Sequence, residues 1–431
     1  MTRRRFLRRV CVGAAPFVVP SGVLGGNAPS ERIAIGMIGV GRQGRKVNLR
    51  GFLHSPDATV VAVCDVDAWR LENARRDVER FYGAGKRSGR YRGCTAHRDF
   101  REVLARKDID AVMISTPDHW HVPMAIAAVG AGKDVSVEKP LSLSIAEGRA
   151  LCEAVRRHSR VLRIDSEFRS IGYMRRACEL VFNGRIGELK RIRTGVPRGD
   201  VACGPQPPMP VPPELDYEMW LGPAPFAPYT INRVHRPKSY ARPGWMRVRD
   251  YCDGMISNWG THLNDIAQWG HGTERTGPVE VEGTGVFPRD GLWNVLLDFK
   301  VRYRFADGVE MLYECSYPHV RFEGTEGWVQ ATYGRGLSAE PESLLRERLG
   351  PHEIRLPGRT DKGDFLYCVR TRRETMEPAE VGHRTNSLCQ LGLIAIERGK
   401  RLAWDPQAER FTNDPEANRL LVRTMRAPWG V

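Results

Sequence analysis

Residues 33–53 read IAIGMIGVGRQGRKVNLRGFL. Ile33 to Ile38 is an apolar run of strand length. Gly39-x-Gly41-x-x-Gly44 follows, and then an amphipathic stretch through Leu53. The next apolar run, Thr59 to Cys64, ends in Asp65, 21 residues after Gly44. A glycine triplet alone says little. Here it leaves a strand, opens a helix and is answered by an acid at the tip of the second strand, which is the context a dinucleotide site requires. The glycines let the main chain approach a pyrophosphate, and the helix start offers free N–H groups and positive potential. The turn residues Arg42 and Gln43 share that position. Asp65 would accept hydrogen bonds from ribose hydroxyls and repel a 2′-phosphate. NAD is therefore favoured over NADP, while Arg42 and Arg70, close in sequence, keep NADP within reach.

Working outward, the alternation continues. Helices are expected over 67–82, 99–106, 120–130 and 144–158, with a Gly/Arg-rich loop at 83–95. Strands are expected over 109–115, 134–138 and 161–165. Strict alternation means a parallel sheet with helices on both faces, a doubly wound sheet of Rossmann type over residues 31–165. Ligands of such sheets bind outside the carboxyl ends of the strands. Ser115, Thr116, Pro117, Asp118, His119 and His121 leave one strand end, and Glu138-Lys139-Pro140 leaves the next. Both must face the crevice of Gly41. Pro140 bars helical geometry at Lys139 and fixes the direction of the lysine, and a cis bond there would fix it further. His119 and His121 stand two apart with no Cys or carboxylate pattern of a zinc site, so no metal is expected.

From residue 166 the pattern changes. Residues 203–228 hold nine prolines, an extended loop. Strand-like runs at 188–196, 279–286, 292–305, 309–317 and 327–333 lack intervening helices. They make an open, largely antiparallel mixed sheet, so residues 166–431 form a second domain of α+β type. Between these runs lies Asn258-Trp-Gly-Thr-His262-Leu-Asn-Asp265-Ile-Ala-Gln-Trp269. Wound as one helix, it brings Asn258, His262, Asp265 and Trp269 to one face, beside an apolar stripe. Oxidising a secondary alcohol needs a base for the hydroxyl proton and an acceptor for the hydride. Histidine suits the first role, and a lysine ammonium can stabilise alkoxide character. Glu167 and Arg169, where the domains should meet, and Trp245 and Arg247, in a Gly/Pro-flanked loop, are the candidates for holding a polar substrate.

The formal charge is +15, of which Arg3, Arg4, Arg5, Arg8 and Arg9 carry five in a segment without acids, leaving 15 − 5 = +10. The remaining bases are scattered among acids, which excludes a nucleic-acid reading. No apolar run reaches the length of a membrane span. Thr-Arg-Arg-Arg-Phe-Leu-Arg (2–8), a weakly apolar stretch and small residues to Ala28 resemble a twin-arginine export signal over residues 1–30. That route carries folded proteins, and the location it implies is periplasmic or otherwise extracytoplasmic. The ten cysteines show no C-x-x-C spacing and read mostly as small buried hydrophobes.

The glycine motif, the Asp65 strand end, the Thr-Pro-x-x-x-His run to His121 and Glu138-Lys139-Pro140 together resemble the Gfo/Idh/MocA oxidoreductases. That family is named for glucose–fructose oxidoreductase, inositol dehydrogenase and a rhizopine-catabolism protein. The segment from Trp259 to Trp269 and the tail from Asn418 to Trp429 are similar to family segments as well. The resemblance implies Lys139 and His262 as the catalytic pair. It implies an NAD-dependent oxidoreductase acting on a secondary alcohol of a sugar, polyol or sugar derivative, and a homo-oligomer built through the second sheet. Members usually carry an aspartate where this chain has Asn258, so Asp265 is expected to share the proton-relay role. Some exported relatives hold NAD tightly and act as redox-neutral glycosidases, by oxidation, elimination, hydration and reduction. A non-catalytic sugar-binding protein that keeps the fold is the third class consistent with Asn258.

Overall fold

The computed structural model of the protein describes residues 32–87 and 91–430. Residues 1–30, read above as an export signal, lie outside the described residues. The first sheet has strands β1 (Ile33–Ile38), β2 (Ala58–Cys64), β3 (Thr95–His97), β4 (Ala111–Ile114), β5 (Asp134–Glu138) and β6 (Leu162–Asp165), in the order β3-β2-β1-β4-β5-β6. All of its pairings are parallel. The order reverses beside β1, so the crevice between the exits of β1 and β4 is the topological switch point where such sheets hold ligands. β4, β5 and β6 are buried at every position, as expected for strands covered on both faces. Ser144 caps the helix Ile145–His158 through the Glu147 N–H. The helix Ala68–Arg87 extends into the segment expected to be a loop.

The second sheet comprises β7 (Leu189–Val196), β8 (Glu280–Val286), β9 (Asp298–Arg304), β10 (Glu310–Cys315), β11 (His319–Gly324), β12 (Trp328–Thr332), β13 (Gly336–Glu340), β14 (Leu402–Asp405) and β15 (Arg410–Phe411), in the order β13-β12-β11-β7-β10-β9-β8-β14-β15. Only β7 and β10 pair in parallel. β9 shows why one face is dry. Phe299, Val301 and Tyr303 are buried, whereas Lys300, Arg302 and Arg304 point to solvent. The inner face packs on the helices Gly172–Phe182, Gly260–His271 and Ala379–Arg398. The outer face carries cross-strand ion pairs, among them Arg304 with Glu280 and Arg193 with Glu323.

The chain does not divide cleanly at residue 165. The helix Asp361–Thr371, far along in the sequence, returns to the first domain. Its Phe365, Leu366 and Cys368 join the core formed by Ile35, Phe52 and Val60. Phe365 is fully buried, with its ring edge-on to Phe52 at 6.4 Å. Truncating it is expected to destabilise the dinucleotide domain. Phe365→Ala should cost about 3–5 kcal/mol in chemical denaturation. A loss below about 1 kcal/mol would show that the returning helix is only draped on the surface.

Candidate active site

The strand exits of the first sheet open into a cavity of about 310 Å³, which runs from the glycine turn to the start of helix Gly260–His271. At one end Gly39 has φ +82°, and a Cβ there would lie 2.7 Å from the Ser115 carbonyl. A Cβ on Gly44 would lie 2.1 Å from the Gly39 oxygen. Gly44 thus serves the packing of turn against helix and does not border the cavity, whereas Gly39, Gly41, Arg42 and Gln43 do. Asp65 lines the cavity and accepts the Val40 N–H at 2.8 Å and the Asp67 N–H at 2.9 Å. Burial raises its pKa and the neighbouring Arg70 guanidinium opposes that rise.

A strap from the second domain closes this end. His235 Nε2 lies 3.0 Å from Asp67 Oδ2, and Arg70 Nη2 donates to the Ser239 carbonyl at 3.2 Å. The Tyr240 ring sits 5.1 Å from Trp69 and takes the Arg45 guanidinium over its face at 4.8 Å. Trp245, further along the strap, lines the cavity. Arg247 does not. It is held by Asp200, at 2.5 Å, and lies over Trp293.

In the middle, Ser115, Thr116 and Pro117 line the wall where β4 ends. His121, also on the wall, ties two exits together. Its Nδ1 lies 2.7 Å from the Pro140 carbonyl and its Nε2 lies 3.0 Å from the Thr116 carbonyl. Burial pushes its pKa down to about 4. His119 faces away from the cavity. Its Nε2 meets the Trp220 carbonyl at 3.1 Å, and its ring packs against Tyr251 and Trp220. The expectation of a cofactor contact for His119 is corrected: one position into the turn, it points into the aromatic cluster beneath the second domain.

At the far end stand Lys139, Asn258 and His262. The Lys139–Pro140 bond is cis. Lys139 Nζ donates to the main-chain oxygen of Asn258 at 3.0 Å. His262 Nδ1 shares a hydrogen bond with the Ser166 hydroxyl at 2.8 Å, and its ring stacks on Phe168 at 4.4 Å. Burial, aided by the Lys139 charge, pushes its pKa well down, so the imidazole is neutral and able to take a proton. Phe168 is itself stacked on Tyr333 at 5.0 Å, and Tyr333 reaches the cavity from the turn after β12. Glu167 is exposed on the cavity wall. Glu138, buried behind Lys139, accepts from Asn48 Nδ2 at 2.8 Å, and Asn48 also donates to Ser115 at 2.9 Å.

Asp265 and Arg169 are corrected together. Neither borders the cavity. Arg169 Nε and Nη2 each donate to Asp265 at 2.7 Å, and Trp269 covers the guanidinium at 4.6 Å. One helical face does carry His262, Asp265 and Trp269, but three residues turn a helix by about 60° short of a full circle. That angle is enough to hand Asp265 to an arginine rather than to the cavity. The helix is also interrupted at Trp259, between Met255–Asn258 and Gly260–His271.

Sequence reasoning placed Asp118 at the crevice, where the structure has it, but passed over Ser166, Phe168, Tyr333 and the part of the strap around His235 and Tyr240. Ser166 was within reach, because it follows directly on the end of β6. Tyr333 and the strap had no local signal, since only the second sheet and the proline-rich loop bring them near.

This geometry agrees with comparison to known proteins. Residues 33–166 match the family profile described as "Oxidoreductase family, NAD-binding Rossmann fold", and residues 202–431 match "Oxidoreductase family, C-terminal alpha/beta domain" of the same Gfo/Idh/MocA group. The chain belongs to the Gfo/Idh/MocA oxidoreductase family, and its first domain is the family's NAD-binding Rossmann fold. Among curated relatives, a glycosyl hydrolase family 109 protein of Saccharopolyspora erythraea is 37% identical over 132 residues, 30% of this chain and 28% of that protein. An alpha-N-acetylgalactosaminidase of Shewanella oneidensis is 36% identical over 126 residues, 29% of this chain and 26% of that protein. The chain thus matches under a third of the length of these relatives. Among solved structures, an aldose-aldose oxidoreductase from Caulobacter crescentus superposes with a TM-score of 0.62 at 18% identity, covering 86% of this chain and 99% of that one. A levoglucosan dehydrogenase in complex with NADH and levoglucosan superposes with a TM-score of 0.62 at 17% identity, covering 86% and 99%. These structures share the fold.

Two outcomes follow from the electrostatics. His119 is held neutral by burial, with its pKa pushed down to about 3. The unfolded chain therefore binds a proton near pH 6.5 that the folded chain refuses, and this residue withdraws stability as pH falls. Relative to wild type, His119→Gln should gain about 2 kcal/mol between pH 7.5 and pH 5 in denaturation midpoints; an unchanged difference would mean that His119 is solvated. Asp265→Asn should cost about 3 kcal/mol by stranding part of the Arg169 charge, while NAD affinity, followed by fluorescence titration, stays at the wild-type value. A selective loss of NAD binding would return Asp265 to the site.

Proposed function

We propose that the protein is an NAD-dependent oxidoreductase acting on a secondary alcohol of a sugar, polyol or sugar derivative. The observation that carries this reading is the convergence of Lys139 and a neutral His262 at one end of a cavity whose other end is the glycine turn. The groove fits the cofactor. The glycines leave no side chain between the turn and the strand exits, and Asp65 and Arg70 stand where the ribose end would lie. NAD bound there supplies the hydride acceptor. The remaining work falls to the chain. Lys139 hydrogen-bonds the substrate oxygen and steadies its developing negative charge. His262, oriented by Ser166 and Phe168, holds or moves a proton at Nε2. Glu167, Tyr333 and Trp245 offer the charged and aromatic surface that a sugar needs.

A redox-neutral glycosidase is the second reading, and two observations favour it. A relative named as a glycosyl hydrolase family 109 protein and one named as an alpha-N-acetylgalactosaminidase each match 29–30% of this chain. The strap, with His235, Ser239 and Tyr240 fastened onto Asp67, Arg70 and Arg45, covers the cofactor groove and suits a cofactor that stays bound. Export by the twin-arginine route, proposed from residues 2–8, fits such a protein, because free NAD is scarce outside the cytoplasm. Self-association through the outer face of the second sheet is proposed as a polar, salt-sensitive contact, in keeping with its Arg/Glu ladders.

The test uses protein purified without added cofactor, with polyols, free sugars and glycosides as substrates. Nicotinamide absorbance and aglycone release are followed together. Reduced cofactor accumulating with added NAD is the expected result for a dehydrogenase. Aglycone release without net reduction selects the glycosidase. In either case Lys139→Met and His262→Ala should each lower turnover by about 10²–10⁴-fold. Full activity in both variants would overturn the assignment of the site.

A further inference from the structure

Tyr333 stands in the turn after β12 and lines the cavity, and 42% of it is exposed. The ring is nevertheless held still. It lies parallel to Phe168, at 5.0 Å and 4°, and edge-on to Trp259 at 5.5 Å. Its main-chain N–H donates to the Pro318 carbonyl at 3.0 Å, and the next N–H, of Gly334, donates to the Tyr173 hydroxyl at 3.0 Å. A tyrosine that merely covered Phe168 would itself be covered, whereas this one is fixed on one face and open on the other. Phe168 lies between Tyr333 and His262, stacked on the imidazole at 4.4 Å. Glu167, the neighbour of Phe168 in sequence, is exposed on the same cavity wall, and its charge reaches the Tyr333 phenol. Among the described residues neither the Tyr333 hydroxyl nor the Glu167 carboxylate has a hydrogen-bond partner.

We propose that Tyr333 and Glu167 form a subsite for a second sugar ring, so that the substrate is a disaccharide or longer glycoside rather than a free monosaccharide. The inference rests on the reading that the reacting ring lies between Lys139 and His262. Phe168 fills the space between His262 and Tyr333, so a ring reacting beside the imidazole cannot also lie on the tyrosine. A ring joined to it can. A pyranose has a face of C–H bonds and a rim of hydroxyls. The open face of Tyr333 suits the first. The Glu167 carboxylate, which only accepts hydrogen bonds, suits the second. Phe168 and Trp259 have already ordered the tyrosine ring, so stacking on it costs little further side-chain entropy. The subsite serves a dehydrogenase and a redox-neutral glycosidase alike.

The test is isothermal titration calorimetry of the full chain with NADH present, so that no alcohol is oxidised. The probes are methyl glycosides of the common hexoses, each paired with the disaccharide in which glucose replaces the methyl group. In wild type at least one disaccharide should bind about 5–10-fold tighter than its methyl glycoside. Tyr333→Ala should bring that pair to within about twofold, and Tyr333→Phe should keep the difference. Glu167→Gln should weaken the disaccharide by about threefold. Tyr333→Leu, which keeps apolar bulk without a flat ring, carries the test if the alanine variant does not fold. A panel in which no disaccharide outbinds its methyl glycoside overturns the proposal, and so does a preference that survives Tyr333→Ala and Tyr333→Leu. Oxidation of free monosaccharides without any disaccharide preference overturns the subsite and leaves the oxidoreductase reading intact. A preference that depends on Tyr333, with no turnover of any alcohol or glycoside, faults that reading and leaves the subsite standing.

Discussion

The site depends on the parallel pairing of β4 with β5. Their register places Ile114 beside Val137, so the two strands release their chains side by side at one edge of the sheet. His121 locks those exits by facing carbonyl oxygens of both, at Thr116 and Pro140. A neutral imidazole can donate to only one of them. The second carbonyl favours the protonated ring and burial opposes it, and burial prevails. The direction of Lys139 follows from this lock, because the lysine sits one residue before the tethered proline. A histidine next to a cofactor groove invites a catalytic or metal role, yet here its two contacts are spent on holding the main chain.

A second constraint is charge. Lys362, from the returning C-terminal helix, is buried between Asp165 at the end of β6 and the side-chain oxygen of Asn48. Asn48 in turn donates to Glu138 and Ser115. Arg163 stands near Asp165, Asp364 and Glu377, and Arg169 pairs with Asp265 and stands near Glu377. These charges lie almost out of reach of water, so each relies on the others for compensation. The network lies behind the cavity wall. It welds the C-terminal segment to the carboxyl edge of the first sheet and keeps Glu138 behind Lys139. Helix Gly260–His271 joins the two systems, since His262 faces the cavity while Asp265 faces the ions.

Signals of short range were legible in the sequence. The glycine turn and the strand ends at Asp65, Thr116 and Glu138 each act within a few residues, so the first domain could be read almost element by element. Partners brought from afar could not be read. A helical wheel gives the angle of Asp265 but not the arginine waiting there, and nothing within 361–371 announces that Phe365 completes the core of a domain that begins at residue 33. β11, β13 and β14 were likewise missed. They are short, and neighbours in space rather than alternation in sequence make them strands.

The carboxylates around Lys139 make sense of the asparagine at 258. Glu138 and Asp118 already face this one cation, both pushed toward their neutral forms by burial, and Asp253 adds repulsion from behind. A third carboxylate beside the same lysine would raise all of their pKa values and add an uncompensated charge to a dry wall. Asparagine keeps the shape of the helix start, and its main-chain oxygen still receives the Lys139 proton at 3.0 Å, without adding charge.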